Sequence, residues 1–260
     1  MELTDLEVAR RLADAAREVI LPHFRNTAMA AENKLDGGFD PVTIADRDAE
    51  TAMRMLLEEL RPQDAILGEE HGHKKGTSGR TWVLDPIDGT RGFISGTPTW
   101  GVLIALSDAK GPILGVIDQP YTGERFEGTG AHAQLVSPHG TRPLSTRKDT
   151  LLADAILFTT FPEVGTSGDR AGFEKVRDQV KLTRYGMDCY AYGLVAVGTV
   201  DLVIEAGLNS YDIQAPIAVI EAAGGIVTDW DGGPAHEGGR ALAAANPELH
   251  AAALELLRGA

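Results

Sequence analysis

The stretch Trp82-Val83-Leu84-Asp85-Pro86-Ile87-Asp88-Gly89-Thr90 ends an apolar run with one carboxylate and delivers a second three residues later, across a turn led by proline. Both can face one site. Gly89 lets a ligand approach the backbone closely, and the Gly89 and Thr90 amides, where they open a helix, are donors suited to a phosphate. Two more acids follow or precede apolar segments: Glu69 in Leu67-Gly68-Glu69-Glu70, and Asp212 in Tyr211-Asp212. Four carboxylates in one cleft repel and raise one another's pKa, so their convergence makes sense around hard cations. All-oxygen ligands favour Mg2+ over zinc. Each acid also has a plain structural reading: a turn at Asp85-Pro86, a helix cap at Asp212, and a solvated loop acid at Glu70, which is left with that reading.

These residues need elements to hold them. Thr4-x-x-Glu7 resembles a capping box, and Leu6, Ala9, Ala13, Ala16 and Ile20 recur at helical spacing, which predicts a first helix. A second is predicted over residues 45–60, with Ala49, Ala52, Met53, Leu56, Leu57 and Leu60 as its buried stripe. Short β-like runs follow at 65–67, 82–84, 102–106, 113–117, 134–136 and 156–158. Helices over 190–197 and 213–223 flank a strand at 202–205, with a strand at 226–228 and a closing helix over 249–257. The expectation is an α+β or mixed αβ chain. Its polar, turn-rich stretch 138–150 predicts a boundary between an N-terminal α+β half, 1–145, with most of the candidate ligands, and a C-terminal α/β half, 146–260, with Asp212. The loop His71-Gly72-His73-Lys74-Lys75-Gly76-Thr77-Ser78-Gly79 is expected to be mobile, its two histidines a solvated surface pair. Gly128-Thr129-Gly130-Ala131-His132-Ala133 imitates a dinucleotide fingerprint but opens no helix, and reads as a tight turn between strands.

Composition removes several classes. With 260 residues, 38 acidic against 24 basic side chains and a net charge of -14, the chain repels phosphate backbones and anionic lipid, and it has no basic run to overcome that field. A nucleic-acid or membrane partner is not expected. Cys189 is the single cysteine, which excludes an intrachain disulfide and suits a reducing cytoplasm. Neither a phosphate-loop Gly-x-x-x-x-Gly-Lys nor a Gly-x-Ser-x-Gly elbow occurs.

Taken together, Glu69-Glu70, Asp85-Pro86-Ile87-Asp88-Gly89-Thr90, Tyr211-Asp212, Glu221-Ala222-Ala223-Gly224-Gly225 and Asp229-Trp230-Asp231-Gly232 resemble the inositol monophosphatase superfamily of Mg2+-dependent, lithium-sensitive phosphatases. The resemblance spans nearly the whole chain. It implies a layered αβαβα sandwich, a homodimer, two or three Mg2+ per site and a small phosphate monoester as substrate. It also implies that Glu69, Asp85 and the Ile87 carbonyl hold one ion, that Asp85, Asp88 and Asp212 hold a second, and that Gly89 and Thr90 bind phosphate. Lys34-Leu35-Asp36 and Pro41-Val42-Thr43-Ile44-Ala45-Asp46 look like the family's opening segment, so Asp46 would hydrogen-bond Thr90 and the two would orient the attacking water. Asp46, Glu69 and Thr90 are thus the candidate catalytic residues. No covalent phosphoenzyme is required.

The sequence departs from the inositol branch after Thr90, where Arg91-Gly92-Phe93-Ile94-Ser95-Gly96 stands, with Tyr185-Gly186-Met187-Asp188-Cys189-Tyr190-Ala191-Tyr192 farther on. Both runs resemble the histidinol-phosphate phosphatase branch. Histidinol phosphate carries an ammonium and an imidazole, so its pocket wants acids beyond those given to metal. Glu205 and Asp188 are the candidates, and Arg91, Asp88 and Asp212 complete the expected substrate-binding set. The alternatives are inositol 1-phosphate or another small sugar or nucleotide phosphate, and a non-catalytic relative of the family.

Overall fold

The structure is a computed structural model that describes residues 3–26, 32–33, 41–130 and 132–258. Helix α1 (Asp5–Ile20) is followed by the paired two-residue strands β1 (Glu32–Asn33) and β2 (Pro41–Val42), and by helix α2 (Ile44–Leu60). Strands β3 (Ala65–Gly68), β4 (Gly72–Lys74) and β5 (Thr81–Asp88) lead to a short helix α3 (Thr90–Ser95). An antiparallel run follows: β6 (Gly101–Asp108), β7 (Gly111–Gln119), β8 (Glu124–Thr129), β9 (His132–Ser137) and β10 (Gly140–Pro143). The chain continues through β11 (Ile156–Thr159), α4 (Ser167–Arg177), β12 (Leu182–Tyr185), α5 (Tyr190–Val197) and β13 (Leu202–Leu208). It closes with α6 (Ser210–Ala222), β14 (Ile226–Thr228), β15 (Gly239–Ala244) and α7 (Pro247–Arg258).

Two mixed sheets result, in the orders β10-β9-β8-β7-β6-β5-β3-β4 and β12-β11-β13-β15-β14. Period-two alternation assigns their faces. On β5 and β6, Trp82, Leu84, Val102, Ile104 and Leu106 pack under α1 and α2, while Val83, Leu103 and Ala105 face α5 and α6. On β13 and β15, Val203, Ala241 and Ala243 join that same central core, and Leu202, Ile204, Leu242 and Ala244 pack under α4 and α7. The layers are therefore α1/α2, first sheet, α5/α6, second sheet, α4/α7: the αβαβα sandwich that was expected. The near-continuous apolar surface of α6, buried from Ile213 to Ile220, follows from its place between two sheets.

Glycines let α6 lie close on the first sheet. Gly115 and Gly128 face each other across β7 and β8, and a Cβ on them would come within 2.3 Å of the Ala215 carbonyl oxygen and 2.5 Å of the Val219 Cα, respectively. The turn reading of the Gly128 segment holds, because β8 ends at Thr129 and β9 begins at His132. One expectation changes. Residues 72–74 of the expected mobile loop form β4 on the edge of the first sheet, and Thr77 and Ser78 donate to the Gln63 carbonyl. His71 is exposed, but its Nε2 lies 3.1 Å from both the Arg47 carbonyl and the Thr51 hydroxyl. Helix α4 and strand β15 had no periodic signal: α4 buries only Gly172, Phe173 and Val176, and β15 is alanine-rich. Among the described residues no helix is long and apolar enough to cross a membrane.

Candidate active site

The candidate ligands meet where β3 and β5 end and α3 and α6 begin. In a regular strand Asp85 and Asp88, three apart, would point to opposite faces. The pairing with β6 shifts between them, from Asp85 opposite Leu103 to Asp88 opposite Gly101, so β5 carries one extra residue. That bulge spans Pro86 and Ile87, of which Pro86 has no N–H to give the ladder, and it turns both carboxylates to one side. Asp85 Oδ1 accepts from the Ile87 amide at 3.0 Å. Gly89 then takes φ +83° at the N-terminus of α3, where a side chain would also meet the Asp188 carboxyl carbon at 2.6 Å. Glycine is needed there for both reasons.

From the other side, Asp212 is the third residue of α6 and accepts from the Asn209 amide at 2.7 Å, closing a capping box. The capping reading and the ligand reading thus share one carboxylate. Oxygens of Asp85, Asp88 and Asp212 lie within 4.8 Å of one another. Burial and the negative neighbours Glu69, Asp88 and Asp212 push the Asp85 carboxyl well above its ordinary range. Asp88 is likewise raised by burial, then by Asp212 and Asp188, although the Cys189 amide donates to its Oδ2 at 2.7 Å. Asp212 is pushed up to about 7, burial being the largest cause. An all-carboxylate donor set that opposes its own ionisation is what a hard divalent cation relieves, so these residues fit a metal.

Asp46 stands at the first turn of α2. Its Oδ2 accepts from the Thr43 amide at 2.8 Å and the Thr43 hydroxyl at 2.5 Å, and its buried Oδ1 has no hydrogen-bond partner. Burial raises its pKa to about 6, with nearby Glu70 also raising it. The expected bond between Asp46 and Thr90 is not made: the Thr90 hydroxyl donates to the Ile87 carbonyl at 3.2 Å. Glu70 is half-buried, not a solvated loop acid. Lys34, Leu35, Asp36 and the 37–40 stretch lie outside the described residues.

A cavity of about 320 Å³ opens over the carboxylates, and its lining includes Glu69, Arg91, Phe161, Asp188, Glu205 and Tyr211. Glu205, 7% exposed, accepts from the Thr160 amide at 3.0 Å, the Thr160 hydroxyl at 2.5 Å and the Tyr192 hydroxyl at 2.7 Å. Asp188 does not cap α5. It adopts φ +46° and accepts from the Thr99 hydroxyl at 2.7 Å, reaching across to the segment after α3. Burial raises the pKa of both acids. The Arg91 guanidinium lies 4.8 Å from the centre of the Phe161 ring, and both residues line the cavity. The supporting groups are Thr43, Thr99, Thr160 and Tyr192. Only Thr43 had a local signal, as the first residue of Thr-x-x-Asp before an apolar helix.

A five-layer αβαβα fold with acids converging at the ends of β5 and the start of α6 defines a metal-dependent phosphatase scaffold, and comparison with known proteins places it. The chain belongs to the inositol monophosphatase family, whose profile matches residues 2–260. It is 44% identical over 239 residues to the chloroplastic bifunctional phosphatase IMPL2 of Arabidopsis thaliana, covering 89% of this chain and 67% of that protein. It is 36% identical to a histidinol-phosphatase of Streptomyces coelicolor, covering 95% of this chain and 94% of the other. A solved inositol monophosphatase from Zymomonas mobilis superposes with a TM-score of 0.86 at 40% identity, covering 98% and 97% of the two chains.

Proposed function

We propose that the protein is a Mg2+-dependent phosphomonoesterase that hydrolyses L-histidinol phosphate to L-histidinol and phosphate in the cytoplasm, as a homodimer. The observation that carries the substrate reading is the pair Asp188 and Glu205, two acids outside the Asp85, Asp88 and Asp212 cluster that line the same cavity. A substrate with an ammonium and an imidazole meets negative charge there. Relatives named histidinol-phosphatase support the same reading.

Glu69, Asp85, Asp88, Asp212 and the Ile87 carbonyl would hold the metal. Bound Mg2+ would supply Lewis-acid polarisation of the phosphoryl group and offset the charge of the leaving alkoxide. The remaining work falls to the chain. The Gly89 and Thr90 amides bind phosphate oxygens, the Thr90 hydroxyl and the Asp46 carboxylate orient the attacking water, and the ionised Asp46 accepts its proton. Asp188 and Glu205 fix the far end of the substrate, with Arg91 beside them in the lining.

A second reading, inositol 1-phosphate, is favoured by one observation: both oxygens of Glu205 are already engaged by neutral hydroxyls, an arrangement equally able to meet a polyol. Initial rates on a panel of phosphate monoesters, with and without Mg2+, decide between them. The highest kcat/KM on histidinol phosphate, abolished by chelation, is the expected result. A higher kcat/KM on inositol 1-phosphate overturns the substrate reading, and a rate that survives chelation overturns the metal reading.

A further inference from the structure

Helix α2 carries a second buried acid besides Asp46. Glu50, one turn later, lies on the same helical face and is fully buried, at 0% exposure. It sits in the stripe Ala49, Met53 and Leu57, where a carboxylate is costly unless fully satisfied. Its partners account for it. Glu50 Oε2 accepts from the Glu70 amide at 2.7 Å, Oε1 accepts from the His71 amide at 3.2 Å, and the Arg54 Nε donates to Oε1 at 2.6 Å. The same Arg54 guanidinium donates to the Gly72 carbonyl. A Cβ on Gly68 would come within 2.0 Å of Glu50 Oε1, so the chain is side-chain-free where the carboxylate arrives, although Gly68 has no positive φ to require glycine.

The consequence is geometric. The turn that leaves β3 carries Glu69, which lines the cavity with Asp85 and whose negative charge raises the Asp85 carboxyl, and Glu70, whose charge raises that of Asp46. Strand pairing brackets this turn, through the Glu69 amide, which donates to the Leu84 carbonyl at 3.2 Å, on one side and the pairing of Gly72 with Gly68 on the other. Between those pairings, residues 70 and 71 are held against α2 by the Glu50 carboxylate on their amides and by the His71 ring beside the Arg47 carbonyl and the Thr51 hydroxyl. Among the contacts that tie this turn to α2, the Glu50 carboxylate is the buried one that takes its two backbone amides.

We infer that Glu50 is a positioning residue: through the Glu70 and His71 amides it fixes the turn that aims Glu69 into the metal site, and so sets the affinity for divalent cation. The inference rests on the proposed ligand role of Glu69. Residues that orient metal ligands typically contribute about 10–100-fold to metal affinity. Glu50→Gln keeps the size but sets an amide N–H2 against one of the donors, and Glu50→Asp keeps the charge and Arg54 while withdrawing the carboxylate from both amides.

The test is Mg2+ titration by calorimetry on the metal-stripped full chain, with hydrogen exchange of the Glu70 and His71 amides and the Tm in chelator measured alongside. Both variants are expected to bind Mg2+ about 10–100-fold more weakly, with faster exchange at those two amides. Glu50→Asp retains the buried ion pair and supplies the result if Glu50→Gln does not fold. A Mg2+ affinity within twofold of wild type in a folded variant overturns the inference, whatever the change in Tm, because a purely structural Glu50 would move Tm alone. If the wild-type protein itself binds no Mg2+, it is the metal reading of Glu69 that fails instead.

Discussion

Replacing the candidate water-orienting acid Asp46 by asparagine should make the metal-stripped protein more stable relative to wild type as pH rises. The Asp46 carboxyl is raised from 3.8 to about 6 in the folded protein, chiefly by burial. A raised acid binds its proton more tightly when folded, so its contribution to stability is fully present below the unfolded pKa and is lost as pH climbs through the folded value. The shift of about two units corresponds to about 3 kcal/mol over the window from about pH 4 to 6. A scan from about pH 5 to 7.5 captures somewhat under half of that, or ~1.4 kcal/mol. For a chain of this size that is a change of about 3–6 °C in the Tm difference between wild type and Asp46→Asn. Calorimetric scans of both proteins in chelator measure it. Asparagine still offers an oxygen to Thr43 and has no charge to lose, so its own stability should lack this component. Two Tm profiles that run parallel from pH 5 to 7.5 would refute the reasoning. The same raised pKa predicts that wild-type kcat falls as pH drops below about 6, where Asp46 takes up a proton.

Thr90→Ala should lower kcat by about 10²–10⁴-fold with little change in KM, since orienting water matters chiefly in the transition state; steady-state kinetics check it, and a change confined to KM counts against that role. Asp188→Asn and Glu205→Gln should each cost about 10–100-fold in kcat/KM for histidinol phosphate while hardly altering p-nitrophenyl phosphate hydrolysis, and equal losses on both esters assign these acids to structure. Gly115→Ala places a methyl 2.3 Å from the Ala215 carbonyl oxygen, where backbone cannot yield. The expected loss is about 1–3 kcal/mol of stability, read as a lower midpoint in urea, and an unchanged midpoint would show that α6 can lift off the sheet.

The types of the site residues were legible because acids at the ends of apolar strands, next to glycine and proline, are unusual enough in combination to mark a cleft. The spacing of Asp85, Asp88 and Gly89 is local, and so is the helical register that buries α1 and α2 and places Asp46 in a first turn. Helices α5 and α6 and strands β13 and β14 were also visible, since each carries its apolar pattern within a dozen residues. What joins distant segments was not. The extra residue that turns Asp85 and Asp88 to one side exists only against the register of β6, and the partner of Asp188 lies 89 positions away at Thr99. The expected Asp46–Thr90 bond gave way to Thr43 and Ile87, both local partners that compete successfully for the same groups. Glu50 reads in the sequence as one more charge beside an arginine at helical spacing. Only the fold, by burying that charge under the turn after β3, gives its carboxylate the two backbone amides that a solvated face would leave to water.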